Sequence, residues 1–139
     1  MTVSDRSFRG VRPDVSGERL AGLVAEAGHD VVHRCVVPDE PDGLAALLRR
    51  LADGEEASPP PDLVVTTGGT GVTPRDLTPE ATAAACDRLV PGIAEAIRAA
   101  SRDVTPMAMI SRGVAGVRGR TLIVNMPGSP GGAADGWAV

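Results

Sequence analysis

Residues 63–76, LVVTTGGTGVTPRD, join a short apolar run to a loop with three glycines in four positions. The β-branched run Leu63–Val65 predicts a buried strand, and Thr78-Pro79-Glu80 predicts the start of a helix. Residues 66–76 are therefore predicted to form the loop that leaves the end of a strand. Loops in this position often carry the ligand-binding residues of an α/β protein.

The composition of this loop suits an anion held together with a metal ion. Closely spaced glycines let backbone N–H groups converge on a phosphate, and Asp76 offers an oxygen ligand for Mg²⁺. Hydroxyl and guanidinium donors add to the anion site; they belong to Thr66, Thr67, Thr70, Thr73 and Arg75. The same residues also fit a tight turn with a surface ion pair between Arg75 and Asp76.

Three motifs occur in a fixed order: TVSDRS at residues 2–7 with Gly10 after it, TTGGTGVTPRDLTPEAT at 66–82, and NMPGSP at 125–130. Together they resemble the MogA/MoaB family of molybdenum cofactor biosynthesis proteins, over almost the whole chain. Three ordered motifs are far more specific than one glycine-rich loop. Relative to that family, both ends of the chain are expected to be short.

The composition indicates one folded domain over residues 1–139. Hydrophobic residues make up 42% of the sequence and charged residues 23%, as is usual for a globular domain. One Phe, one Trp and no Tyr leave the core to aliphatic side chains. We therefore expect little aromatic stacking in any ligand site.

Charge and cysteine content exclude several functional classes. All 14 basic residues are arginine, so a Walker-type loop, which needs a lysine, is excluded. A net charge of −4 without a basic stripe argues against nucleic acid as the main partner. Cys35 and Cys86 form no metal or redox motif. With no apolar signal or membrane-spanning run, we predict a cytoplasmic protein without a membrane partner.

Alternating apolar patterns predict a three-layer α/β/α fold with a mainly parallel central sheet, as in the MogA/MoaB family. Strands are predicted at residues 1–3, 31–37, 63–65, 114–117 and 120–125. Helices are predicted from Ser16, as N-cap, to Ala27, from Pro41 to about residue 53, over 78–86 with Thr78 as N-cap, over 91–98 and 106–112, and from residue 133.

The parallel sheet collects the loops that follow the strands along one edge. Asp5 follows the first strand, Asp39 the second, residues 66–76 the third, and residues 125–130 the last. We expect one ligand site there. His29 and His33 are predicted to lie away from it, so acyl transfer through a Ser–His or Cys–His pair is not supported.

The resemblance implies the reaction. Active members of the family use Mg²⁺ and ATP to adenylate the terminal phosphate of molybdopterin and release pyrophosphate. The alternative is a MoaB-type protein that binds molybdopterin without efficient turnover. Family members are commonly trimers, and a molybdenum insertase acts downstream.

Residue roles follow from the same resemblance. Asp39 and Asp76 are the catalytic and magnesium-binding candidates. The candidates for binding molybdopterin or nucleotide are Asp5, Arg6, Ser7, Thr67, Gly68, Gly69, Thr70, Gly71, Ser111, Pro127, Gly128, Ser129 and Pro130.

Four of these residues also allow a purely structural role. Asp39 could cap the helix that begins near Pro41, and Asp76 could cap the helix near Thr78 or pair with Arg75. Ser111 could satisfy a helix end, and Asp5 could hold its loop through an Asx-turn.

Overall fold

The computed structural model describes all residues, 1–139, and contains one six-stranded mixed sheet. The strand order is β2-β1-β3-β6-β5-β4; the first four strands are parallel, β5 pairs antiparallel with β6, and β4 pairs antiparallel with β5. The strands are β1 (Thr2–Val3), β2 (Val36–Val37), β3 (Leu63–Thr67), β4 (Arg88–Leu89), β5 (Ala115–Arg118) and β6 (Thr121–Met126).

Helices cover both faces of this sheet. They are α1 (Asp5–Phe8), α2 (Val15–Glu26), α3 (Pro41–Ala52), α4 (Thr78–Ala85), α5 (Pro91–Ser101) and α6 (Pro130–Trp137), with a 3₁₀ helix at Pro106–Ile110. Helices α3 and α4 pack together on one face, and α2, α5 and α6 pack on the other. The predicted three-layer α/β/α class with a mainly parallel sheet is confirmed. No helix is long and apolar enough to cross a bilayer.

Each face of the sheet has its own aliphatic core. Leu48 and Ile123 are fully buried in the cluster beneath α3 and α4. Leu20, Ile97 and Val124 belong to the cluster beneath α2, α5 and α6. The apolar residues of α3 recur at helical spacing because one side of the helix faces the sheet.

The predicted strand at residues 31–37 is wrong over its first five residues. Only Val36 and Val37 pair, because their sole neighbour in the sheet is the two-residue strand β1. Val31 and Val32 are exposed. An apolar, β-branched run predicts a strand, but a strand needs a partner of matching length.

Two helix starts differ from the prediction. Helix α2 is capped by Asp14, whose Oδ1 accepts from Gly17 N–H at 2.9 Å, and not by Ser16. Helix α4 begins at Thr78, with Leu77 as the N-cap residue. Residues 5–8, for which no helix was predicted, form the short helix α1, which Ser4 caps by accepting from Ser7 N–H.

The hairpin predicted at residues 114–125 is confirmed, with Gly119 in the left-handed region at its turn. Strand β4, which the sequence did not indicate, adds to its outer edge. The predicted helices over α3, α5 and the 3₁₀ helix are confirmed with small shifts of their ends.

Asn125, the chain's only asparagine, cross-links the buried end of β6. Its Nδ2 donates to Thr66 Oγ1 at 2.9 Å and to Thr82 Oγ1 at 2.8 Å. Its Oδ1 accepts from Val114 N–H at 3.1 Å. Beneath the glycine-rich loop, one amide side chain thus links β6 to β3, to α4 and to Val114, the residue that precedes β5.

We predict that Asn125→Ala lowers the free energy of unfolding by about 3 kcal/mol, since it leaves buried polar groups without partners. Urea unfolding of the purified variant measures this loss. Val104→Ala is the control, because Val104 is 67% exposed and should change stability little. A loss no larger than that of the control would contradict the cross-linking role.

Candidate functional site

A cavity of about 530 Å³ opens at the carboxyl ends of the parallel strands. In the sheet, β1 lies between β2 and β3. The chain passes from β1 to β2 on one side and then crosses to β3 on the other, so the strand order reverses at β1, where the cavity lies. Such a reversal is the usual ligand position in open α/β sheets. The lining residues are Thr2, Val3, Ser4, Ser7, Arg12, Pro13, Asp14, Val15, Ser16, Asp39, Thr67, Gly68, Gly69, Asp76, Gly128, Ser129 and Pro130.

Most of the predicted site residues meet in this cavity. The predicted residues that line it are Ser7, Asp39, Thr67, Gly68, Gly69, Asp76, Gly128, Ser129 and Pro130. The predicted residues that do not line it are Asp5, Arg6, Thr70, Gly71, Ser111 and Pro127. Of these, Asp5, Thr70, Gly71 and Pro127 instead hold lining segments through hydrogen bonds.

Two glycines of the loop lie where no side chain fits. Gly68 has φ +105°, and a Cβ there would lie 2.2 Å from the carbonyl oxygen of Val3. Gly69 has φ +62°, and its Cβ would lie 2.3 Å from Thr78 Oγ1. The loop backbone can therefore approach β1 and α4 this closely only because these residues are glycine.

Asp5 and Asp39 tie the ends of β1 and β2 together. Asp5 N–H donates to Asp39 Oδ2 at 2.8 Å, and Asp39 N–H donates to Asp5 Oδ1 at 3.1 Å. The alternative that Asp39 caps α3 is wrong, because Glu40 is the N-cap residue and makes no side-chain cap. The Asx-turn predicted for Asp5 is also wrong, because the Asp5 carboxylate accepts from the N–H of Asp39, 34 residues away.

Arg75 lies across the cavity's outer edge and pairs with Asp5 rather than with Asp76. The Asp39 N–H and the Arg75 guanidinium together hold the pKa of Asp5 below its ordinary value. Asp5 is therefore ionised at neutral pH, and its charge is already matched. This leaves Asp39 and Asp76 as the acids that face the cavity beside the glycine-rich loop.

The Asp76 carboxylate accepts a hydrogen bond within its own turn through only one of its two oxygens. Its Oδ2 accepts from Thr73 N–H at 2.9 Å, whereas its Oδ1 makes no hydrogen bond within the protein. Asp76 neither caps α4 nor pairs with Arg75, so both structural alternatives are wrong. Asp39 Oδ1 is likewise without a hydrogen bond and lies 3.3 Å from the position of a Cβ on Gly69.

Arg112 holds the glycine-rich loop from outside the cavity, and sequence reasoning did not single it out. Its Nε donates to the Gly71 carbonyl oxygen at 2.7 Å, and its Nη2 donates to the Asp76 carbonyl oxygen. The backbone N–H of Arg112 donates to the Thr70 carbonyl oxygen at 2.8 Å. The Glu80 carboxylate forms a salt bridge with the Arg112 guanidinium. This contact raises the pKa of Arg112 and lowers that of Glu80.

A further part of the cavity wall is formed by residues 12–16 together with residues 128–130, which we call the α2 rim. Ser16 Oγ donates to the Gly128 carbonyl oxygen at 2.8 Å and joins the two segments. Thr2 Oγ1 donates to Asp14 Oδ2 at 2.9 Å and joins the rim to β1. The sequence predicts residues 7–14 as a polar loop of the kind that carries ligand contacts, but no residue of 12–16 was predicted as a site residue, because Asp14 and Ser16 look like ordinary helix-start residues.

Ser111 and the histidines lie outside the cavity. Ser111 ends the 3₁₀ helix and its N–H donates to the Ala108 carbonyl oxygen at 3.2 Å, as its structural alternative predicted. His29 packs edge-on against Trp137, with ring centres 6.3 Å apart. Neither His29 nor His33 lines the site, so no nucleophile–histidine pair is present in the cavity.

The site offers oxygen ligands of the kind that Mg²⁺ prefers. Asp39 and Asp76 line the cavity and each has an Oδ1 without a hydrogen bond in the protein, and the buried Thr78 Oγ1 near Gly69 has no hydrogen-bond partner. No group of three or more His, Cys, Asp or Glu forms a protein-only metal site. Mg²⁺ commonly takes one or two carboxylates together with ligand phosphates, so this donor set fits it.

The fold and site define a class: a three-layer α/β protein with a cavity at a strand-order reversal, lined by glycines, hydroxyl side chains and acids. The family described as a probable molybdopterin binding domain matches residues 1–139. The chain belongs to this family, as the sequence motifs predicted.

Relatives agree with this assignment. A molybdopterin adenylyltransferase of Helicobacter pylori is 39% identical over 132 residues, covering 94% of this chain and 73% of that protein. A molybdenum cofactor biosynthesis protein B of Bacillus cereus is 37% identical, covering 94% and 75%. The molybdopterin biosynthesis enzyme MoaB of Thermus thermophilus, a crystal structure, is 50% identical with a TM-score of 0.87, covering 97% and 82%.

We predict that Gly69→Ala destabilises the protein far more than Gly10→Ala. Both residues have positive φ, +62° and +70°, but a Cβ on Gly10 meets no atom within 4 Å. The Gly10 variant should lose about 1 kcal/mol of unfolding free energy from backbone strain alone. The Gly69 variant should lose about 2 kcal/mol more from the clash with Thr78. Equal losses in urea unfolding would contradict the close approach.

We predict that Arg112→Gln loosens the glycine-rich loop. Amide hydrogen exchange at Thr73 and Asp76, whose N–H groups are bonded within the loop, should quicken about tenfold. Arg120→Gln is the matched control, since Arg120 is exposed and makes no ion pair. Unchanged exchange in the Arg112 variant would show that the loop holds its shape without this residue.

Proposed function

We propose that this protein transfers an adenylyl group from ATP to the terminal phosphate of molybdopterin, releasing pyrophosphate, in molybdenum cofactor biosynthesis. The observation that carries the proposal is the convergence of Asp39, Asp76 and the Gly68–Gly69 backbone on one cavity. Relatives named molybdopterin adenylyltransferase support the same reaction.

The reaction requires mainly that the two substrates are positioned and that the charge on their phosphates is stabilised. A phosphate oxygen of molybdopterin attacks the α-phosphorus of ATP, the bond from that phosphorus to the β-bridging oxygen breaks, and pyrophosphate leaves with the electron pair. No covalent intermediate on the protein is needed. A cavity without a nucleophile–histidine pair but rich in backbone donors suits this chemistry.

Asp39 and Asp76 would hold Mg²⁺ through their free Oδ1 atoms, with the Thr78 hydroxyl nearby. When bound, Mg²⁺ supplies positive charge that neutralises phosphate oxygens. The bonds between Asp5 and Asp39 fix one of these carboxylates, and the Thr73–Asp76 turn fixes the other. Both acids are thus oriented before the ligand arrives.

The glycine-rich loop and the α2 rim would bind the anionic parts of the two substrates. Thr67 Oγ1 donates to the Pro127 carbonyl oxygen at 2.7 Å, which sets residues 127–130 against the loop. A Cβ on Gly128 would lie 3.1 Å from the Cα of Gly68, so the two glycines pack directly together. Ligand phosphates would lie over this glycine surface, where the backbone is accessible.

We predict that Asp76→Asn reduces the rate of pyrophosphate release at least about a hundredfold, because an amide is a weak Mg²⁺ ligand. The assay mixes protein with molybdopterin, ATP and MgCl₂ and follows pyrophosphate. Asp103→Asn is the control, as Asp103 is exposed and makes no ion pair. The rate of the Asp76 variant should recover in part at high Mg²⁺.

The same assay on the wild-type protein distinguishes an adenylyltransferase from a molybdopterin-binding protein without turnover. Pyrophosphate formed in proportion to adenylyl-molybdopterin supports the transferase. Tight molybdopterin binding without pyrophosphate would reject it and select a molybdopterin-binding protein without turnover. Wild-type turnover in the Asp76 variant at limiting Mg²⁺ would remove Asp76 from the metal site while leaving the reaction intact.

We further propose that the protein acts in the cytoplasm as a homotrimer and passes its product to a molybdenum insertase, as the family resemblance implies. Exposed apolar side chains, including Met107, Met109 and Ile110, supply surface that an assembly could bury. Light scattering of the purified protein measures the subunit number. A monomeric mass at micromolar concentration would reject the trimer.

A further inference from the structure

Arg12 is the only basic residue among those that line the cavity. Its side chain is exposed and takes part in no ion pair or hydrogen bond within the protein. Three other arginines near the site are engaged: Arg34 lies 3.8 Å from Asp14, Arg75 pairs with Asp5, and Arg112 pairs with Glu80. Arg6 and Arg9 are unpaired but do not line the cavity, so Arg12 is the one uncommitted guanidinium in the cavity lining.

The cavity needs such a charge if it is to hold a phosphorylated ligand. Asp14, Asp39 and Asp76 line it, so an incoming anion meets three carboxylates. Asp39 and Asp76 belong to the segments that would hold Mg²⁺, whereas Arg12 belongs to the α2 rim. No other residue that lines the cavity carries a positive side chain.

The neighbours of Arg12 at the α2 rim are suited to the same group. Ser129 Oγ accepts from Gly132 N–H at 3.0 Å, which leaves its O–H free to donate. Ser16 is already committed to Gly128. A guanidinium presents paired N–H groups that match two oxygens of one phosphate, and a serine hydroxyl can donate to a third.

We propose that Arg12 binds a phosphate group of the ligand at the α2 rim, separately from the Mg²⁺ held by Asp39 and Asp76. This assignment rests on the proposed function. The phosphate is either the monoester of the pterin substrate or part of the nucleotide, and both present the same chemistry to a guanidinium. Arg12 is thus a specificity-determining residue for anionic ligands.

The test measures dissociation constants by titration calorimetry for ATP, molybdopterin and inorganic pyrophosphate, each with and without Mg²⁺. The proteins are wild type, Arg12→Gln, Arg12→Lys and Arg19→Gln. Arg19 is an exposed, unpaired arginine of the same helix region that does not line the cavity, which makes it the matched control. Unchanged melting temperatures verify that all variants fold.

Arg12→Gln should raise the dissociation constant of at least one of the three ligands about tenfold. Arg12→Lys should raise it less, since lysine keeps the charge but not the paired donors. The salt dependence of binding should also flatten in the Gln variant. A loss confined to molybdopterin assigns the pterin phosphate, and a loss for ATP and pyrophosphate assigns the nucleotide. Wild-type affinity for all three ligands in Arg12→Gln would overturn the proposal.

Failure of this inference and failure of the proposed function give different results. If wild type releases pyrophosphate and Arg12→Gln matches it in KM and in every dissociation constant, the function stands and the role of Arg12 is rejected. If wild type binds these ligands through Arg12 but forms no pyrophosphate, the transferase is rejected and the phosphate contact stands. If none of the three ligands binds to wild type, both proposals are overturned.

Discussion

The close approach of Gly68 to β1 is the constraint on which the site depends. A Cβ at residue 68 would lie 2.2 Å from the Val3 carbonyl oxygen, and one at Gly128 would lie 3.1 Å from Gly68 Cα. Three backbone segments that are distant in sequence therefore meet almost without side chains between them. Their contact sets the cavity floor and brings the loops after β1, β3 and β6 to one place.

Around that contact, hydrogen bonds orient the acids before any ligand is present. The reciprocal bonds between Asp5 and Asp39 join two strands that are each only two residues long and could not be aligned by the sheet alone. Arg112 serves the glycine-rich loop in the same way, through three backbone carbonyl oxygens. Preorganisation of this kind suits a reaction that depends on charge placement more than on side-chain chemistry.

Several residues thus have a different role from the one that local pattern indicates. Asp39 and Asp76 each accept from a backbone N–H with one oxygen and leave the other without a hydrogen bond, so this structural role is compatible with the proposed metal-binding role. Asp5 was predicted to line the site but instead supports it, with its charge matched by Arg75. Ser111 has only the structural contact at the end of the 3₁₀ helix.

The sequence by itself determined the layer order, most helices, the hairpin and the glycine-rich loop, because hydrophobic period, proline positions and glycine spacing are local properties. It also determined the family through three ordered motifs. Only the tertiary structure decided that residues 31–35 are not a strand, because strand pairing depends on the length of the partner. It alone brought Arg12 and Asp14 to the cavity and Arg112 to the loop, because these segments meet partners that are distant in the chain: Ser16 bonds Gly128 across 112 residues, and Arg112 bonds Gly71 across 41.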